Sequence, residues 1–306
     1  MENLSGLFQE IMDSQRVSVR EPMHKHTTFR IGGPVDVFLQ PADAGELQKI
    51  MEICHQEQVP WSIMGNGSNL LVSDEGFRGV VIQIYRNMAQ IATEGCRITA
   101  QAGASLISLS KRAMEASLSG LAFAGGIPGT LGGAVAMNAG AYGGEMKDVL
   151  EEVRVLDRFG QLLTLRADQL EMGYRTSVIK EKGHIVLEAV LKLQPGDRDA
   201  IRETMQDLAQ KRAGKQPLEY PSAGSTFKRP KGHFAGKLIM DAGLRGYRVG
   251  DAQVSEKHCG FVVNCGHATA ADVAAVMRHV QEEVWDRFQV RLEPEVRFLG
   301  DFTGVY

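Results

Sequence analysis

The sequence predicts an α+β chain of two domains behind a short N-terminal lead-in. Three observations carry this. At 306 residues the chain is longer than one ordinary domain. Residues 27–194 read as many short strands with few helices, without the strict strand–helix alternation of a parallel α/β sheet. Beyond Pro195-Gly196 the texture changes to helices separated by a loop rich in Gly, Pro and Ser. The expected division is a lead-in at 1–26, a larger domain at 27–194 and a smaller α+β domain at 195–306.

In chain order, the first 25 residues predict a short helix and a connecting loop. A strand at 35–39 precedes a helix over 42–56, whose Leu47, Ile50, Met51 and Cys54 recur on one face. Residues 61–64 predict a strand that runs into Gly65-Asn66-Gly67-Ser68-Asn69, with short strands after it at 70–72 and 79–84. Glu94-Gly95 turns one hairpin, and Arg158-Phe159-Gly160 turns another between 153–157 and 161–165. Leu106, Leu109 and Ala113 mark a helix between them, and a strand at 184–193 closes the larger domain. Asp197 is placed to cap a helix with Ile201, Met205 and Leu208 on its apolar face. A short helix near 236–242 and a strand at 260–264 follow. Thr269 and Asp272 open a helix striped by Val273, Val276, Met277, Val280, Val284 and Phe288. A last strand over 290–299 would put Glu293 and Glu295 on one face.

Composition excludes several function classes. Thirty-four basic and 37 acidic side chains leave a net charge of −3, and no basic run or aromatic stripe points to nucleic acid. Residues 1–10 carry Glu2 and Glu10 without a basic start, unlike a secretory signal. Residues 116–144 hold no charge, but nine glycines, Pro128 and Asn138 make a membrane-spanning helix unfavourable there. The expected setting is cytoplasmic, with small molecules as partners and no membrane contact. Cys54, Cys96, Cys259 and Cys265 lack zinc spacing and read as reduced thiols. His24 and His26 have no third ligand at a useful spacing, so no metal is expected.

Two segments carry chemistry. The loop 65–69 follows a strand and consists of residues that tolerate positive φ; its amides could cradle a phosphate, or it could be only a turn. The run Gly125-Gly126-Ile127-Pro128-Gly129-Thr130-Leu131-Gly132-Gly133 has no P-loop lysine and no dinucleotide Gly-x-Gly-x-x-Gly fingerprint. Its backbone could approach a pyrophosphate or ring system closely, with a helix expected to start within 134–140, or it could be a packing segment. Two such runs in one domain favour a large phosphate-bearing cofactor.

These segments, with Asn138-Ala139-Gly140-Ala141-Tyr142-Gly143, Gly173-Tyr174-Arg175-Thr176-Ser177, Ala223-Gly224-Ser225-Thr226-Phe227-Lys228 and Leu292-Glu293-Pro294-Glu295-Val296, occur in the order of one known family. The chain resembles the UDP-N-acetylenolpyruvoylglucosamine reductases over nearly all residues after 25. The resemblance implies the FAD-binding fold of the vanillyl-alcohol-oxidase type, followed by a smaller substrate domain. It also implies a flavoenzyme with non-covalent FAD and NADPH as reducing cosubstrate. That family reduces the enolpyruvyl ether of UDP-N-acetylglucosamine in peptidoglycan synthesis. The chain resembles the family's shorter form, without a substrate-covering tyrosine loop.

By the same resemblance, Arg30, Gly65, Asn66, Gly67, Ser68, Asn69, Leu70, Gly126, Ile127, Gly129, Thr130, Gly133, Asn138, Gly140 and Arg175 contact the cofactor. Arg175, Ser225 and Glu295 form the catalytic set. Hydride addition to the methylene carbon leaves enolate-like charge near a carboxylate, which the guanidinium fork of Arg175 suits. Ser225 matches the family's proton donor, and Glu295 the residue that helps polarise or protonate the intermediate. Lys215 and Lys228 are candidate phosphate partners, and Gln253 a candidate nucleotide contact.

Overall fold

The structure, a computed structural model, describes residues 2–306. It divides into two compact units assembled from separated stretches of chain. The first comprises Met1–Val19, Val37–Asn66 and Gly79–Arg212; the second comprises Arg20–Asp36, Gly67–Arg78 and Ala213–Tyr306. This division differs from the expected contiguous split at 194/195 and gives 1–26 no unit of its own. The reason is hydrophobic burial. Phe29, Ile31 and Leu71 lie in one cluster with Phe227, Leu238 and Val262, so early segments join the later chain.

In the first unit a five-stranded antiparallel sheet runs in the order Leu162–Arg166, Leu150–Leu156, Ile185–Lys192, Arg97–Gln101, Ile91–Glu94. The central strand Ile185–Lys192 is buried along most of its length, which explains its nearly unbroken apolar run. Leu162–Arg166 is an edge strand and leaves Leu162 and Leu163 exposed. A second sheet has the order Val17–Pro22, Pro34–Leu39, Phe77–Gln83, Trp61–Met64, with the last two parallel. The strand Val17–Pro22 was not expected; among its residues only Val17 is buried, so no alternating apolar pattern announces it.

Helices start where capping residues allow. Asp43 accepts the Glu46 amide at 2.9 Å and opens Ala44–Gln56, which buries Leu47, Ile50, Met51 and Cys54 as their spacing requires. Asp197 accepts the Ala200 amide at 2.8 Å and opens Arg198–Lys215, where Ile201 is buried and Met205 and Leu208 are half-buried. The uncharged stretch breaks into short pieces: Leu118–Ser119, Ala122–Gly126, Leu131–Ala136, Gly140–Ala141 and Gly144–Glu145. Among the described residues no helix is long and apolar enough to cross a membrane. The four cysteines are unpaired, and burial pushes the Cys54 thiol up to about 12.

The second unit is built around the helix Ala270–Phe288, which buries Val273, Val276, Met277, Val280 and Val284. Thr269 and Asp272 exchange hydrogen bonds at 3.0 Å, an N-terminal capping box. Asp74 reaches the same helix end, its carboxylate accepting the amides of Ala270 at 2.7 Å and Ala271 at 2.9 Å. A three-stranded antiparallel sheet orders Arg248–Val249, Ala252–Val254 and Val262–Asn264. The expected strand at 290–299 shrinks to Arg297–Leu299, which pairs in parallel with Leu70–Val72. Residues 293–295 pair elsewhere, in an antiparallel bridge around Phe227 and Pro294 with the Lys228 amide on the Glu293 carbonyl and the Glu295 amide on the Thr226 carbonyl, each at 2.8 Å.

Because Asp74 satisfies two helix-terminal amides with a charge, Asp74→Ala should destabilise the protein by about 1–3 kcal/mol. The check is urea unfolding followed by far-UV circular dichroism. An unshifted midpoint would show that water replaces the carboxylate without loss.

Candidate active site

In the first unit the two glycine-rich runs lie side by side. The Asn66 side chain donates to the Pro128 carbonyl at 2.7 Å, joining loops that are 62 residues apart. A Cβ on Gly65 would stand 2.1 Å from Thr130 Oγ1, so this approach requires glycine. Buried Gln83 holds the loop from below, donating to the Gly65 carbonyl at 3.1 Å. Among the described residues of this unit, no protein acceptor takes the backbone amides of Asn66, Gly129 or Thr130. Those donors can serve a phosphate-bearing group.

The helix after the second run begins earlier than expected, at Leu131 rather than within 134–140. Its first amides have protein partners: Leu131 donates to the Ala104 carbonyl and Gly132 to the Ala102 carbonyl, each at 2.8 Å. The third amide, that of Gly133, has no protein acceptor among the described residues and is available alongside the loop amides. Gly126 and half-buried Ile127 sit in the turn before the helix, and Gly133 lies within it. Gly140 pairs with Glu145 in the small ladder that follows.

Arg175 occupies a tight turn in the same unit. Gly173 and Thr176 exchange backbone hydrogen bonds at 3.1 and 3.4 Å, leaving Tyr174 and Arg175 at the tip. Arg175 has φ 58°, a conformation usually given to glycine at that turn position. Its guanidinium carbon lies 5.0 Å from the centre of the Tyr174 ring. Both ends of the turn are tied down. Asn138 donates to the Gly173 carbonyl at 3.0 Å, and buried Ser177 donates to the Ala136 carbonyl at 2.8 Å.

Asn138 was expected to contact the cofactor, but its side chain is engaged inside the protein. Besides Gly173, Nδ2 donates to Glu145 Oε2 at 2.8 Å, and Oδ1 accepts the Lys147 amide at 3.0 Å. Glu145 was not anticipated. A hydrogen bond from Lys147 holds its carboxyl below the usual range against the opposing effect of burial, helped by Asn138 and the charge of Arg175. Arg212 was also missed. Its guanidinium lies against Gly126, where a Cβ would be 2.3 Å from Nη1, and burial pushes its pKa down. A lone arginine near the end of a polar helix carries no sequence signal of that contact.

In the second unit, backbone pairing joins the segments that carry Ser225 and Glu295. Thr226 follows Ser225 directly, and its carbonyl accepts the Glu295 amide at 2.8 Å. Thr226 itself is buried, with its hydroxyl accepting the Val262 amide at 2.9 Å and its own amide donating to Gly260 at 2.9 Å. Ser225 is left exposed on a loop whose neighbours are pinned, beside Gly224 at φ 75°. Asn69 donates to the Glu295 carbonyl at 3.1 Å, so its side chain positions the glutamate instead of reaching outward. Leu70 pairs with Arg297 in the adjoining strand. Arg30, at φ 56°, projects from a segment anchored through Thr28, which donates to the Ser222 carbonyl at 2.7 Å and, from its amide, to Gly67 at 3.3 Å.

Glu293 and Glu295 do not share a strand face. Glu293 is exposed and pairs with Lys228 Nζ at 3.0 Å, whereas Glu295 is half-buried. Gln253 is engaged too, donating to the Gly246 carbonyl at 3.2 Å and accepting from the Cys265 thiol at 3.2 Å. Lys215 stands exposed at the end of Arg198–Lys215.

Comparison with known proteins gives this arrangement a family. Residues 35–166 match the FAD binding domain family, and residues 216–299 match the C-terminal domain of UDP-N-acetylenolpyruvoylglucosamine reductase. The UDP-N-acetylenolpyruvoylglucosamine reductase of Agathobacter rectalis is 56% identical over 92% of this chain and 93% of its own. That of Alkaliphilus metalliredigens is 50% identical over 98% and 99%. A crystal structure of the Thermus caldophilus enzyme superposes with a TM-score of 0.81 at 38% identity, covering 93% of this chain and 99% of that one. The glucose dehydrogenase Phl p 4.0202 shares the fold alone, with a TM-score of 0.50 at 14% identity over 64% of this chain and 44% of that one. The expected FAD-binding fold with an added α+β domain is therefore present.

The turn geometry predicts an order of stabilities. Arg175→Gly relieves a positive φ, whereas Arg175→Ala keeps it, so the glycine variant should be the more stable by about 1 kcal/mol. Denaturant unfolding of both variants measures the difference. An alanine variant equal to or above the glycine variant would mean the turn is not strained.

Proposed function

The chain belongs to the UDP-N-acetylenolpyruvoylglucosamine reductase family of flavin-dependent oxidoreductases, and from that premise we propose that it reduces the enolpyruvyl ether of UDP-N-acetylglucosamine to UDP-N-acetylmuramate with NADPH. The product class places it in peptidoglycan precursor synthesis. The observation that most supports this reading is the Thr226–Glu295 backbone bond, which joins the segment that carries Ser225 to the one that carries Glu295. An exposed hydroxyl and a half-buried carboxylate on paired segments suit delivery of one proton.

The residues present fit FAD. Among the described residues the amides of Asn66, Gly129 and Thr130 have no protein acceptor and suit its diphosphate, and Gly65 leaves room for the first unit's two runs to close on each other. When bound, FAD supplies two-electron chemistry between a nicotinamide and an activated double bond. The remaining work belongs to the protein. Arg175 binds the substrate carboxylate through its fork and stays charged while negative charge develops there. Ser225 delivers the proton to the adjacent carbon. A hydroxyl is a weak acid, so this needs a short contact or a relay through water. Glu295 polarises the same centre.

Lys215 and Lys228 remain the reading for the substrate diphosphate. Lys228 must leave Glu293 to serve it, and such exposed pairs hold by only about 0–1 kcal/mol. Gln253 is the proposed nucleotide contact and Asn69 a proposed cofactor contact, each held in place by its own side-chain hydrogen bonds, to Gly246 and Cys265 and to the Glu295 carbonyl respectively.

Ser225→Ala should leave flavin bleaching by NADPH intact while slowing sugar-dependent recovery of the flavin band by about 10²–10⁴-fold. Anaerobic stopped-flow mixing separates the two half-reactions. Normal recovery would remove Ser225 from proton delivery. Gly65→Ala should force Thr130 and the loop apart, weakening FAD retention by about tenfold or more, about 1.4 kcal/mol. Titration of the apoprotein with FAD, read by flavin fluorescence, would contradict this if affinity were unchanged.

A further inference from the structure

The turn that carries Arg175 hangs from the end of the helix Leu131–Ala136. Asn138 is only 1% exposed, and both polar atoms of its side chain are engaged. Nδ2 bridges the Gly173 carbonyl, two residues before Arg175, and the carboxylate of Glu145. That carboxylate also takes Lys147 Nζ at 2.8 Å and acts electrostatically on Arg175. Asn138 holds a positive φ of 42°, a conformation that asparagine, aspartate and glycine accept most readily. One buried amide therefore fixes both the backbone under Arg175 and the anion near its guanidinium.

We propose that Asn138 is a positioning residue for Arg175, holding the Gly173–Thr176 turn and the Glu145 carboxylate so that the guanidinium is aimed before substrate arrives. It acts through Arg175 and touches neither substrate nor flavin. A misaimed fork loses its second hydrogen bond to a carboxylate, so the effect belongs to the sugar half-reaction. The inference rests on the reading of Arg175 given above.

A double-mutant cycle in the full-length holoenzyme tests it. Asn138→Gly removes the amide without straining φ, and Asn138→Asp keeps the shape while losing the donor. Either should bind FAD with unchanged affinity and visible spectrum, and be reduced by NADPH within about twofold of wild type. Reoxidation by the enolpyruvyl UDP-sugar should slow about tenfold or more. In an Arg175→Ala background, adding either substitution should cost nothing further. A purely structural role would instead weaken FAD binding or multiply with Arg175→Ala, and either result overturns the proposal. Wild-type reoxidation in both Asn138 variants also overturns it while leaving Arg175's role intact. Wild-type reoxidation in Arg175→Ala alone would sink the reading of Arg175 itself, and the inference with it.

Discussion

Backbone polar groups in residues 116–144 have to find partners without long helices or strands, and how they do so organises the rest of the first unit. No buried amide or carbonyl can be left unmatched cheaply. Leu131 and Gly132 donate to Ala104 and Ala102, Pro128 accepts from Asn66, and Ala136 accepts from Ser177. Together these bonds tie the segment to three separate stretches of chain. The segment is thereby a hub: the loop at Gly65-Asn66, the Arg175 turn and the turn at Ala102–Ala104 all take their positions from it. Glycine makes the close approaches possible, and the few polar side chains make them definite.

The second unit follows the same logic with fewer glycines. Thr226 uses its amide, hydroxyl and carbonyl to join the serine loop to Gly260, Val262 and Glu295. Asn69 closes the arrangement from the other side. Side chains that looked outward-facing in the sequence, Asn69, Asn138 and Gln253, are therefore engaged internally, each holding a backbone carbonyl or a neighbour in place. Arg30, Asn138 and Arg175 all keep a positive φ. Strain of this kind persists only where surroundings over-determine it, and it collects around functional groups.

Much of the fold was legible because periodicity and capping are local properties. The helix Ala270–Phe288 follows from its apolar stripe and the Thr269–Asp272 box, and Ile185–Lys192 from its apolar run. Where pattern and pairing part company, the reading failed. Val17–Pro22 pairs through backbone alone, with Arg20 and Glu21 obscuring any alternation. The expected last strand was too long, because alternation in side chains does not show that residues 293–295 pair with 226–228 while Arg297–Leu299 pairs with Leu70–Val72. Unit boundaries escaped because Phe29, Ile31 and Leu71 carry no mark of which later residues they will meet.

Motif order alone determined the family, the cofactor class and the identity of the residues proposed for catalysis, since each depends on which side chains are present and in what sequence. Motif position is also what singles out Glu295 from Glu293, the same residue type two positions away. Tertiary structure decided their surroundings: a salt bridge holds exposed Glu293 to Lys228, while hydrogen bonds from the Glu295 amide to Thr226 and from Asn69 to the Glu295 carbonyl pin the backbone of half-buried Glu295. It also decided that Asn138 faces inward. Hydrogen-bond partners tens of residues away settle such questions, and spacing along a chain does not encode them.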